Sequence, residues 1–319
     1  AFPYKQRRTP SVLLVGSSGG FRPLEARRLG CGHVVTLESD PVVVKLLRKA
    51  GMGGDVRRES PQAFLARTQE RFDIIDVADD YFDSGHANKY AFTRESVQRF
   101  YHALSDRGVL SLPVLIREWT VYAAKTAETV RDALVGLGIE NPGAHVMAYR
   151  AEWTARILVS RAPFTQDDIE GLKAFCSTMS FDTSYFPGID PATVEVWNQL
   201  PTISFEDETV AAAGTEASDP LATEMATIFE GDNVQYLRTN FFDVGPTTDD
   251  KPFPHHIFRP SRIGALLKRL DLIPQENVGF LVNMAVLAQG EKLTVADLPP
   301  EIAGEQTTAP APVLPTGGG

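Results

Sequence analysis

The residues with the clearest chemical promise are small ones followed by an acid. Gly16-Ser17-Ser18-Gly19-Gly20 comes directly after the apolar, β-branched run Ser11-Val12-Leu13-Leu14-Val15. Small residues in such a turn let a backbone come close to a ligand, and a helix after the turn offers free N–H groups. Further on, Glu38 ends a second apolar run, His33-Val34-Val35-Thr36-Leu37. A carboxylate about 20 residues after the turn can accept hydrogen bonds from both hydroxyls of a ribose. Strand, glycine turn, helix, strand and acid, in that order, predict a site for a nucleoside-bearing cofactor. The competing reading is a tight turn beside a surface glutamate.

A second group of acids lies downstream. Asp76, Asp79, Asp80 and Asp83 sit at and beyond the end of the run Phe72-Asp73-Ile74-Ile75. Ligands of open α/β sheets bind outside the carboxyl ends of the strands. The cluster is therefore a candidate site for an amine or a sulfonium, and a solvated acidic loop would have the same composition. His255-His256 after Asp249-Asp250 are metal-ligand types. They lack a ligand framework, so the sequence predicts no metal there. Cys31 and Cys176 are far apart and form no CxxC pair, which gives neither a disulfide framework nor a zinc or iron–sulfur site.

These residues need elements to position them. In the first half, strand-like and helix-like segments alternate with short loops. Strands are predicted at 11–15, 33–37, weakly near 55–57, at 72–77 and at 109–112. Helices are predicted over about 21–29, 42–50, 61–67 and 93–104, and from Glu118, with Trp119, Ala123, Val130, Leu134 and Leu137 on the buried face. Asp40-Pro41 reads as a helix cap followed by a first-turn proline. Runs at 144–149 and 154–160 predict an antiparallel pair at one edge. This alternation predicts an α/β fold with a Rossmann-like, doubly wound, mainly parallel sheet and a C-terminal irregular and helical extension. Three parts are expected: an α/β domain at 1–162, an extension packed on it at 163–270, and a helix with a flexible Pro/Gly-rich tail at 271–319. Thr209 to Asp219 reads as a mobile loop, and Pro260 to Leu270 as a basic helix.

The chain has 319 residues, 43% of them hydrophobic, and a formal net charge of −10. That balance predicts no nucleic-acid partner, since binding nucleic acid needs a basic footprint. A small cationic amine is a compatible ligand. The longest apolar stretch, Val278 to Ala288, is shorter than the ~20 residues needed to span a bilayer. No membrane span is predicted.

Several segments together resemble the spermidine-synthase-like branch of the S-adenosylmethionine-dependent methyltransferase fold. They are Val12 to Gly20, Val35-Thr36-Leu37-Glu38-Ser39-Asp40-Pro41, Phe72-Asp73-Ile74-Ile75, and Ala91-Phe92-Thr93-Arg94-Glu95 ahead of Leu104 to Leu110. Ile157 to Thr165, Tyr185 to Pro191 and Thr248-Asp249-Asp250-Lys251-Pro252-Phe253 resemble large bacterial spermidine-synthase-like proteins, many of them fused to membrane helices. The resemblance implies a sheet of the class I methyltransferase type. The implied cofactor is S-adenosylmethionine or decarboxylated S-adenosylmethionine. Gly16, Ser17, Ser18, Gly19, Gly20 and Glu38 would hold its methionine and ribose parts, Glu59 and Ser60 would lie by the adenine, and Asp76 would complete the cofactor set. An aspartate just after the fourth strand would hold or deprotonate an amine acceptor.

Here the sequence departs from that family. Ala78 stands where aminopropyltransferases carry their first catalytic aspartate, and Tyr81 stands where the second would be. Asp79 and Asp80, between them, are the candidate catalytic residues. Ser18 replaces a glycine of the cofactor turn. The β-hairpin domain that precedes the fold in spermidine synthases is expected to be missing. Two functions follow. One is a cytoplasmic transferase-like protein that binds S-adenosylmethionine or a relative and transfers an aminopropyl or methyl group to an amine. The other is a catalytically silent domain that serves as a protein partner in a membrane-associated assembly.

Overall fold

The computed structural model describes residues 2–51, 55–83, 86–116, 120–199, 201–206, 209–215 and 219–268. The chain forms two compact units, Ala1–Arg259 and Pro260–Gly319. Eight strands of the first unit build one sheet. They are β1 (Ser11–Val15), β2 (His33–Leu37), β3 (Asp55–Arg57), β4 (Phe72–Val77), β5 (Leu104–Leu115), β6 (Val146–Arg150), β7 (Thr154–Ser160) and β8 (Asp182–Tyr185). Their order is β3-β2-β1-β4-β5-β7-β6-β8. β1 to β5 pair in parallel, and β7 lies antiparallel between β5 and β6. This is the mainly parallel, doubly wound α/β sheet that the alternation predicts. β9 (Pro201–Glu206) and β10 (Thr209–Thr215) form a separate antiparallel hairpin.

The central strands carry no polar alternation because helices cover both faces. Val12, Leu13, Val15, Ile74, Ile75 and Leu110 are fully buried. Each such aliphatic side chain contributes roughly 1.5–3 kcal/mol by leaving water. Local chemistry fixes where the helices start. Asp40 accepts from the backbone N–H of Val42 at 2.7 Å and of Val43 at 3.3 Å, ahead of the helix Pro41–Lys49. Thr93 caps Arg94–Ala103, and Thr165 forms a reciprocal capping box with Asp168 at the start of Gln166–Met179. In the helix Val121–Gly136, Ala123, Val130 and Leu134 are buried as the spacing predicts, while Glu118 and Trp119 lie outside the described residues.

Three expectations are corrected. The antiparallel pair β6–β7 forms, but it is not the edge, because β8 pairs with β6 on its outer side. The short polar strand Asp182-Thr183-Ser184-Tyr185 has no periodicity to announce it. Thr209–Thr215 is strand rather than loop, held by pairing with β9. In the second unit the helix is Ile263–Leu267, shorter than the span expected for it. The expected tail at 271–319 lies outside the described residues.

Candidate functional site

Strand register puts the candidate residues on one edge. Val15 pairs with Leu37 in β2 and with Val77 in β4, so Gly16, Glu38 and Ala78 stand side by side where the three strands end. Backbone bonds continue past the strands: Gly16 N–H donates to Leu37 O at 3.0 Å, and Ala78 N–H to Val15 O at 2.9 Å. Glu38 N–H donates to Arg57 O at 3.0 Å, which brings the end of β3 to the same edge. The order of strands reverses between β1 and β4, the topological switch point at which open α/β sheets bind ligands.

The glycine turn is tightly wound. Gly16 has φ +92°, and a Cβ there would stand 2.7 Å from the Tyr81 ring and 2.9 Å from the Ala78 methyl. Only glycine meets both constraints. Gly19 has φ +66° with open space where a Cβ would be. Ser18, in place of glycine, has φ +44°, a left-handed conformation that L-residues adopt at a cost. The turn leads into the helix Phe21–Arg28.

Glu38 is half-buried and pre-oriented. Ser17 Oγ donates to its Oε2 at 2.5 Å, and the Asp40 backbone N–H donates to its Oε1 at 3.0 Å. An ionised carboxylate has about four lone-pair sites, so both oxygens keep capacity for a ligand. Glu59 pairs with Arg67, and Ser60 caps the helix Pro61–Leu65 by accepting from Ala63 N–H at 3.2 Å. Both follow β3 at this edge.

Asp76 lies inward of the turn in a buried network. Its Oδ2 accepts from the Tyr4 hydroxyl at 2.9 Å and pairs with Arg22 Nη2 at 2.8 Å, and its Oδ1 pairs with Arg156 Nη1 at 3.0 Å. Burial alone would raise this carboxyl, but the two guanidiniums and the Tyr4 hydroxyl outweigh it and hold Asp76 below the usual range. Arg156 Nη2 also reaches Asp79 at 2.7 Å. Asp79 is 69% exposed, so this ion pair faces water. Asp80 is exposed and opens the short helix Asp80–Asp83. Tyr81 is buried, and burial followed by the charges of Glu38 and Asp80 pushes its hydroxyl up to about 12.

The expected site residues therefore separate into two groups. Gly16, Ser17, Ser18, Gly19, Gly20 and Glu38 are brought together, with Glu59 and Ser60 on the neighbouring strand end. Asp76 and Asp79 are joined by Arg156. Sequence reasoning missed Arg22, Arg156, Tyr4 and the position of Tyr81. An arginine within the apolar run of β7 was the one signal available for Arg156. The motif Thr248 to Phe253 lies elsewhere and staples its segment to the helix Arg94–Ala103. There Asp249 accepts from Thr93 Oγ1 at 2.6 Å and pairs with Arg99 at 2.9 Å. His255 packs its ring on Phe82 and Tyr122. Among the described residues no group of three or more His, Cys, Asp or Glu could hold a metal ion. Among them too, no helix is long and apolar enough to cross a membrane.

An S-adenosylmethionine-type ligand fits this edge in part. The open cradle at Gly19 and the poised carboxylate of Glu38 suit a ribose. The inner end does not suit a methionine tail, because Arg22 and Tyr81 already lie over the ends of β1 and β4.

No protein-family model and no curated protein sequence matches the chain. Solved structures similar to it include a spermidine synthase from Thermotoga maritima, at TM-score 0.41 and 18% identity over 52% of this chain and 59% of that one. A probable spermidine synthase from Corynebacterium glutamicum has TM-score 0.42 and 11% identity, over 52% of this chain and 61% of that one. Human methyltransferase-like protein 13 in complex with SAH has TM-score 0.38 and 17% identity, over 60% and 90%. The chain spans less than two thirds of the length of these spermidine synthases.

Proposed function

We propose that this chain binds the adenosine part of S-adenosylmethionine or a relative, such as decarboxylated S-adenosylmethionine, at the carboxyl edge of β1 to β3. The observation that carries this reading is Glu38. Its carboxylate is fixed from two sides by Ser17 and the Asp40 N–H, beside a glycine turn at the switch point. A surface glutamate that served only solubility would need neither contact. Calorimetric titration of the whole chain with adenosine-bearing ligands tests it. Glu38→Gln should weaken binding by about 1–3 kcal/mol, the scale of hydrogen bonds to a charged group. Unchanged affinity would overturn the ribose assignment, and no binding at all would overturn the reading.

A second reading, a catalytically silent domain, is favoured by one specific arrangement. Ala78 offers no carboxylate, and the Asp79 carboxylate is already matched by Arg156. A base for a cationic amine acceptor would then fall to Asp80 alone. Supplying decarboxylated S-adenosylmethionine with putrescine and analysing products by mass spectrometry separates the two. Binding without product supports the silent domain, and spermidine formation restores Asp79 or Asp80 as a base.

A further inference from the structure

If the adenosine lies as just proposed, strand order sets the direction of everything attached to its 5′ carbon. The base lies toward β3 and the ribose sits on Glu38 at β2. The 5′ substituent must then run toward β1 and β4, the next strands of the sheet. The structure fills that place with its own side chains.

Arg22, in the first turn of the helix Phe21–Arg28, folds back over the strand ends. Its Nη1 donates to Val15 O at 3.0 Å and Gly16 O at 2.9 Å, and its Nη2 donates to Asp76 O at 2.8 Å. The same Nη2 pairs with the Asp76 carboxylate at 2.8 Å. Three backbone carbonyls at the ends of β1 and β4 thus accept from one internal cation, 10% exposed, and Val15 O accepts the Ala78 N–H as well. They are the acceptors that an ammonium on a ligand tail would need at this place. Beside them, the Tyr81 ring stands so close to Gly16 that a single added carbon would overlap it.

We infer that Arg22 is a built-in cation that takes the place of a ligand's ammonium, so that this site selects adenine nucleosides with a small, uncharged 5′ substituent over those with an aminoacyl or aminopropyl tail. A second cation brought to Arg22 meets like charge. Swinging Arg22 aside takes a charged donor from Val15 O, Gly16 O and Asp76 O, leaves Gly16 O without it, and removes one of the two guanidiniums from the Asp76 carboxylate. The device also explains how the ribose end can stay poised while the inner end is filled.

The test is a comparison of ligands on the wild-type chain, by calorimetry. The probes are 5′-methylthioadenosine, S-adenosylhomocysteine, S-adenosylmethionine and decarboxylated S-adenosylmethionine. Methylthioadenosine should bind at least about tenfold more tightly than any of the three tailed ligands, since each must displace charge-assisted hydrogen bonds. In Arg22→Ala that preference should shrink or reverse, provided circular dichroism shows a folded chain. The wild-type ratio stands as the test whether or not the variant folds. Equal or tighter binding of tailed ligands by the wild type overturns this inference and leaves the adenosine reading in place. If no adenosine-bearing ligand binds, the adenosine reading fails and this inference with it.

Discussion

Two buried arginine clusters sit in the same sheet and behave in opposite ways. At the carboxyl edge, Arg22 and Arg156 together serve Asp76, with Tyr4 as a further donor. Near the β6–β8 edge, a single guanidinium, Arg150, serves both Asp182 and Asp219, each at 3.0 Å. Arg150 is completely inaccessible, whereas Arg156 is 20% exposed and leads out to Asp79. Burial raises a carboxyl in both places. Two cations overcome it at Asp76, which is pulled down, and one shared cation does not at Asp219, which is pushed up. Two cations against one account for the opposite directions, with the Tyr4 hydroxyl adding to the fall at Asp76 and the Asp182 carboxylate to the rise at Asp219. The sealed cluster ties Arg150 of β6, Asp182 of β8 and the Asp219 cap of the helix Pro220–Glu230 into one unit, with Ser184 donating to Asp219 at 2.9 Å. The open cluster stands at the switch point, where chemistry is expected.

The largest expected effect separates the two directly. Arg150→Met should lower the unfolding free energy by about 3–5 kcal/mol, because it leaves buried carboxylates unpaired. Arg156→Met should cost less, about 1–3 kcal/mol, since Asp76 keeps Arg22 and Tyr4. Urea unfolding of both variants checks this, and equal losses would break the comparison.

A third buried acid sharpens the rule with pH. Glu128, on the helix Val121–Gly136, has the Asn233 amide at 3.2 Å, and its nearest guanidinium, Arg131, stands off at 3.8 Å. Burial pushes its carboxyl from the ordinary 4.5 up to about 7. A raised folded-state value means that its contribution to stability is full below pH 4.5 and is lost as the pH rises through 7. Glu224, also raised to about 7 by burial, acts in the same sense. Asp76 has the opposite sign: its contribution is present above its ordinary 3.8 and is lost as pH falls through its lowered folded value. Between pH 5 and 8, Glu128→Gln should remove about 2 kcal/mol of the wild-type fall in stability. Urea midpoints across that range measure it. A variant that falls as steeply as wild type would mean that Glu128 is not held neutral.

The smallest expected effect lies in the turn of the open region. Ser18→Gly relieves a left-handed serine, and the gain should be about 0.5–1 kcal/mol after the added freedom of the unfolded glycine is allowed for. Thermal melting detects it. A loss of stability would show that the Ser18 side chain contributes something that the backbone angle conceals.

Much of the fold was legible because it is written locally. The apolar runs of β1, β2 and β4, the caps at Asp40 and Thr93, and the turn at Gly16 to Gly20 each depend on neighbours a few residues away. The pairing of that turn with Glu38 was legible for the same reason, since one strand–helix–strand unit brings them together. β8 and the β9–β10 hairpin were not legible, because short polar strands acquire their identity from a partner that pairs with them.

The same division runs through the candidate site. By itself the sequence determined that an acid, Glu38, would stand beside a glycine turn at one edge of a parallel sheet. It also fixed that no carboxylate would follow at position 78. Only the tertiary structure decided that Tyr4, Arg22, Asp76 and Arg156 would meet, and that Tyr81 would lie against Gly16. These residues are up to about 150 positions apart, and no local propensity links them. The role of a buried charge depends on which other charges the fold brings within a few ångströms, because a desolvated ion is stable only with its partners in place.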